Sequence, residues 1–152
     1  MERIKTYFKS ILVPVLVGGI VGWIISSFID YNSLIKPPLA PSSKVFPVMW
    51  TILYILMGIS YGMLKENELV DKDISIVYYL QLGVNALWSI FFFVLKWRLF
   101  SGVWILLLAL LVAIMVYKFY EKYKTAGLIQ IPYLLWTLFA TYLNFGIWFL
   151  NR

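Results

Sequence analysis

The chain has 152 residues, of which 62% are hydrophobic and 13% charged, and it carries a net charge of +6. So few charges cannot cover the surface of a soluble domain of this size, so the class is integral membrane, as one domain over 1–152. With no cysteine and no histidine, the chain lacks disulfides, thiolate or imidazole catalysis, zinc sites of the usual kind and the two commonest haem ligands.

Five uncharged apolar runs stand in order: Ile11–Ile29, Val45–Leu64, Ile74–Leu95, Leu99–Tyr117 and Thr125–Asn151. Each can cross a hydrocarbon core of about 30 Å as a helix, which satisfies its own backbone hydrogen bonds. The expected architecture is all-α, a membrane bundle of five transmembrane helices over about 8–29, 45–65, 74–95, 99–120 and 125–151.

The basic N-terminus MERIKTYFKS precedes a run too long for a signal-peptide core, so that run is read as the first spanning helix. Gly18 and Gly22 stand in GxxxG spacing on it, which serves close packing within the bundle or dimerisation.

A polar loop over 30–44 follows, stiffened by Pro37, Pro38 and Pro41. It is the longest polar connection, a place where binding residues often sit. The second helix then opens with Pro47 and carries Trp50, Tyr54, Met57 and Tyr61 on one face. Such a face either packs against a neighbouring helix or, beneath a rigid loop, receives a flat apolar ligand.

Gln81, Asn85 and Ser89 form a polar seam on the third helix, with Trp88 beside them. Thr137, Thr141 and Asn144 form another on the fifth, where Pro132 starts or kinks the helix and Trp136 and Ala140 adjoin. Amides in a membrane helix face protein or ligand, because lipid offers them no partner. The fourth run is almost wholly apolar and is expected to face lipid along much of its length.

The basic residues lie between the runs, as loop charges beside lipid headgroups rather than a nucleic-acid surface. Five crossings put eight Lys and Arg on the side of the N-terminus against five on the other. That bias sets the N-terminus in the cytoplasm and the proline-rich loop outside. There is no phosphate-binding glycine motif and no intramembrane carboxylate or lysine, which disfavours ion-coupled transport.

Three strings carry a family resemblance. Lys36-Pro37, Pro41, Phe46-Pro47-Val48-Met49-Trp50-Thr51, Leu53-Tyr54 and Gly58 form the first. Gln81-Leu82, Asn85, Trp88-Ser89 and Phe92-Phe93 form the second, and Pro132-Tyr133, Trp136, Phe139-Ala140 and Leu143-Asn144 the third. Together they resemble the translocator protein family, whose bacterial members are tryptophan-rich sensory proteins.

The resemblance implies a five-helix bundle, often a homodimer, with a pocket under the first loop for porphyrins such as protoporphyrin IX or other large apolar molecules. It implies a role in tetrapyrrole regulation, transport or stress sensing, or a light- and oxygen-dependent degradation of protoporphyrin. No cofactor is required; porphyrin is ligand or substrate. By resemblance, Trp50 and Trp136 match the tryptophans linked to degradation. Tyr31, Pro47, Asn85, Trp88 and Ala140 match pocket positions, and Tyr54 joins them by its face. No metal site is expected, and a bacterial plasma membrane is the expected location. The chain departs from the family pattern at Asp30 and Leu39, where tryptophans are usual, and at Ser42, where a second proline is. The C-terminal cholesterol pattern is missing its basic residue until Arg152, so cholesterol binding is not supported.

Overall fold

The computed structural model describes residues 1–152, and every regular element in it is helical. The helices are α1 (Glu2–Ile25), α2 (Val45–Glu66), α3 (Lys72–Ser89), α4 (Arg98–Lys122), α5 (Lys124–Ile129) and α6 (Ile131–Asn151). Short 3-10 turns, Ser26–Phe28 and Tyr31–Ser33, follow α1, and a π-helical turn, Ile90–Val94, extends α3. Of 114 backbone hydrogen bonds, 98 lie within these elements, as a chain surrounded by hydrocarbon requires. Five segments are long and apolar enough to span a membrane. The shortest has 22 residues, or about 33 Å of helix.

Three boundaries differ from those read in the sequence. The first helix starts at Glu2 rather than near residue 8, because nothing in RIKTYFKS breaks a helix. The third is regular only to Ser89; its last turn widens into the π form, an arrangement frequent at functional sites. The fifth span is two helices that part at Gln130. Pro132 sits in the first turn of α6, where its missing N–H costs nothing, so it starts that helix.

Around the bundle the spans run α1, α2, α5 with α6, α4, α3, and α3 closes back on α1. The fourth run faces outward along much of its length, through Leu99, Val103, Leu106, Leu107, Leu110 and Ile114, as expected, but its other face is core. Ser101, Ile105, Leu108, Val112, Met115 and Phe119 are buried at helical spacing, and α4 packs on α3, α5 and α6. The peripheral helix is α1, which buries only Ser10, Pro14 and Ile25. It meets α2 where Pro14 removes the N–H that would bond the Ser10 carbonyl. There Gly58 brings α2 onto the backbone of Ser10 and Ile11, so tightly that a Cβ would overlap Ile11. Small residues at such contacts let dispersion act between backbones, the main attraction available between helices in lipid.

The connections turn on left-handed residues without glycine. Leu39, Glu68 and Lys96 have φ of 72°, 57° and 57°. Glu68 closes α2 in a Schellman cap, with Leu69 N donating to Leu64 O and Glu68 N to Lys65 O. In the same connection Asp71 precedes α3, and its side chain accepts from Ile74 N at 2.9 Å and caps the helix. The same carboxylate pairs with Lys122 at 2.7 Å and so ties the α2–α3 connection to the end of α4.

Candidate functional site

At the lid end the helices part around a cavity of about 430 Å³. Its walls come from α1, α2, α6 and the π-helical end of α3, and its roof from Tyr31 and Ser43 of the first loop. No lining residue is charged. Trp50 is the central side chain. It stacks on Tyr54 at 5.8 Å between ring centroids, and lies 6.3 Å from Trp88 and 6.3 Å from Trp136. These rings occupy space that direct backbone contact fills elsewhere, because α2 touches the fifth span chiefly at α5.

Of the residues singled out in the sequence, Tyr31, Pro47, Trp50, Tyr54, Trp88 and Ala140 line the cavity. Asn85 and Trp136 do not. Trp136 is buried behind Trp50, edge to face at 88°, and its indole N–H has no partner. Asn85 lies in a chain of buried groups. Tyr54 donates to its Oδ1 at 2.8 Å, its Nδ2 donates to Tyr133 at 2.7 Å, and the Tyr133 hydroxyl donates to Gln81 Oε1 at 2.6 Å. Gln81 Nε2 donates onward to Tyr78 O at 2.9 Å. Each link in that chain is paired, so the amides Gln81 and Asn85 join three helices and reach the cavity through Tyr54, while Ser89 of the same seam lines it directly.

A second network lies nearer the lid. Trp88 Nε1 and the Ser101 hydroxyl both donate to Asn144 Oδ1, at 2.9 and 3.0 Å, and Asn144 Nδ2 donates to Arg98 O at 2.7 Å. Arg98 in turn donates to both carboxylate oxygens of Asp30 at 2.8 Å. Asp30, a departure from the family pattern, therefore fastens the first loop to the start of α4.

The loop is a closed lid. Asn151 donates to Ile35 O and accepts from Ile35 N, at 2.7 and 2.9 Å, and Tyr142 donates to Pro38 O at 2.6 Å. Pro37 rests on Gly146, where a Cβ would overlap the proline ring. Burial raises the Tyr31 hydroxyl above its ordinary value, so it stays protonated and donates to Pro41 O at 2.6 Å. Lys36 bonds Leu34 O and lies over the Tyr31 ring at 5.0 Å, and neither it nor Lys44 lines the cavity. Leu39, the other departure, occupies the left-handed position of a tight turn closed by Ala40 N to Pro37 O, and its side chain is 84% exposed.

Sequence reasoning left unassigned Phe46, Phe92, Phe93, Leu143 and Ile147 among the lining residues, and the lid anchors Arg98, Tyr142 and Asn151. Asn151 had a signal: a lone amide ending an apolar run. Phe92 and Phe93 had only their place in a motif.

The sequence of the chain is similar to those of known proteins. The model of the TspO/MBR family matches residues 10–149. The protein CrtK of Rhodobacter capsulatus is 38% identical over 96% of this chain and 93% of its own. A tryptophan-rich protein TspO of Archaeoglobus fulgidus is 39% identical over 80% of this chain and 79% of its own. A translocator protein homolog of Schizosaccharomyces pombe is 31% identical over 97% of this chain and 93% of its own. Five spanning helices, a cavity walled by tryptophans under a fastened lid and a family match over nearly the whole length agree: the chain belongs to the TspO/MBR family of membrane proteins.

Proposed function

We propose that the protein binds porphyrins, protoporphyrin IX among them, and similar large apolar molecules in the cavity under the lid, and acts in tetrapyrrole regulation, transport or stress sensing. The observation that carries this reading is the uncharged cavity walled by the stacked pair Trp50 and Tyr54 and by Trp88. Its volume lies in the range that encloses compact organic ligands, and indole faces suit a flat aromatic ring system. The polar roof of Ser43 and Tyr31 suits the carboxylate edge of such a molecule. A bacterial plasma membrane with the lid outside is consistent with the loop charges.

The test is a titration of the solubilised protein with protoporphyrin IX in the dark, followed by tryptophan fluorescence. Saturable quenching that weakens in Trp50→Phe supports binding at this cavity. Quenching that never saturates, or saturates equally with both Trp50 and Trp88 replaced, rejects it.

One observation favours a second reading, light-driven degradation of the bound porphyrin in oxygen. Trp88 and Trp136 each lie 6.3 Å from Trp50, so an indole oxidised by an excited porphyrin has neighbours to share the charge. Under illumination this reading expects loss of porphyrin absorbance that requires the protein and falls in Trp50→Phe and Trp136→Phe. Retained absorbance leaves the protein as a binder.

A further inference from the structure

We infer that ligand enters and leaves the cavity sideways, from the bilayer, through a slot between the lid-side halves of α1 and α2, while the lid stays fastened. The inference rests on the cavity being a ligand site. The exposed lining residues are Gly19, Gly22 and Ile29 at the end of the first span, and Pro47 and Thr51 on α2. The lining residues of α3, its π turn and α6 are all buried or half-buried. The cavity thus meets the outside along one seam.

That seam is open for a physical reason. Toward the far end, α1 and α2 are pinned at Gly58 against Ile11 and at Gly62 against Tyr7. The next glycine contact is Gly18, where a Cβ would overlap the Tyr54 ring. Beyond it, a Cβ on Gly19 or Gly22 would meet nothing within 4 Å. The GxxxG pair therefore divides its work: Gly18 packs in the bundle, while Gly22 faces open space at the cavity mouth. The Thr51 hydroxyl donates to Pro47 O in its own helix, so it offers the slot no free donor.

The slot faces hydrocarbon. Its outer neighbours Ile20, Trp23, Val48 and Ile52 are all exposed and apolar. Thr51 lies six residues into α2, about 9 Å below its start. The aqueous route carries more obstacles, because the lid is held by Asp30 on Arg98, by Asn151 on Ile35 and by Tyr142 on Pro38. A molecule dissolved in the bilayer reaches the cavity through the slot without breaking any of these bonds.

The test uses the full chain in phosphatidylcholine vesicles, with protoporphyrin IX as probe and tryptophan quenching followed by stopped flow. Gly22→Leu and Gly19→Leu place side chains in the slot, where the structure has room for them. Both variants are expected to slow association and dissociation together, by about tenfold or more, at an unchanged thermal midpoint. Asp30→Asn and Asn151→Ala, which unfasten the lid, are expected to leave both rates as they were. Wild-type rates in the glycine variants, or faster rates in the lid variants, overturn the inference.

A second measurement needs no porphyrin. The chain has no cysteine, so Ser89→Cys puts a single thiol on the cavity wall away from the exposed residues of the slot. An uncharged, membrane-dissolved maleimide should label it, and Gly22→Leu should protect it. Equal labelling with and without Gly22→Leu overturns the slot. Failure of the wild-type protein to bind porphyrin at equilibrium rejects the ligand reading alone.

Discussion

On the side of Tyr54 away from the lid, α2 meets its neighbours through glycine backbone and paired groups; on the lid side its rings stand off from them, and the paired amide there, Asn144, joins α6 to α3 and α4 instead. The far half contains Gly58 on Ile11, the Ser60 hydroxyl on Ala126 O at 2.6 Å, and the chain from Asn85 through Tyr133 to Gln81. The lid half contains Trp50, Trp88, Phe46 and Phe92 around an empty volume. Rings fill space without needing partners, and their edges adapt to a guest, whereas an amide must be paired in one geometry. One half of the bundle fixes the fold, and the other leaves room.

Four substitutions test that division. The largest effect is expected from Gly58→Leu, which drives a side chain into the backbone of α1. Overpacking of this kind costs about 1–3 kcal/mol or more, so the thermal midpoint in detergent should fall steeply or the protein should not be recovered. A midpoint within a few degrees of wild type would show that the far half is not the rigid one.

Tyr133→Phe comes next. It leaves Gln81 Oε1 and Asn85 Nδ2 without their partner, at about 1–3 kcal/mol, read as a lower midpoint. Dark porphyrin quenching should still saturate, because the cavity wall is intact. Loss of quenching with no loss of stability would place the network in the lid half's function.

Asp30→Asn removes the charge that Arg98 faces, in a pair that is 24% and 13% exposed. The expected cost is about 1 kcal/mol, between an exposed and a fully buried pair, seen as faster proteolysis of the lid. Equal proteolysis would mean Asn151 and Tyr142 hold the lid unaided.

The smallest effect is a pH dependence at the far end. The hydrogen bond from Lys122, with that from Ile74 N, holds the Asp71 carboxyl below its ordinary value. Its contribution to stability is therefore fully present above the unfolded carboxylate value of about 3.9. It is lost as pH falls through the lower folded value. Asp71→Asn should flatten the fall in midpoint below about pH 4 and leave neutral behaviour nearly unchanged. An unchanged acid limb would show that this pair does not tie the connections.

The spans and the lid were legible because membrane crossing and proline both leave plain marks in sequence. Trp50 and Tyr54 were legible through helical spacing, and Trp88 through its place beside the amides. Membership of the family was legible from three ordered motifs. The packing of α4 was not. In lipid the buried and exposed faces of a helix are equally apolar, so Leu108 in the core and Leu107 facing out look alike. Only Ser101, Gly102 and Ala109, small and buried, hinted at the contact face. Whether Asn85 faced a ligand or Tyr133 was also hidden, because an amide's need for a partner does not name it. Trp136 behind Trp50, and the pairing of Asp30 with Arg98 across 68 positions, are products of the fold.

Leu39, Glu68 and Lys96 hold the left-handed backbone with side chains that resist it. All three lie in connections outside the spanning helices; Lys96 pairs with Asp30 of the loop that carries Leu39, whereas Glu68 lies in the α2–α3 connection, so Glu68→Gly should add to a change at either of the others. The molecule thus carries a reserve of thermostability beyond its helices, open to engineering without touching a cavity residue.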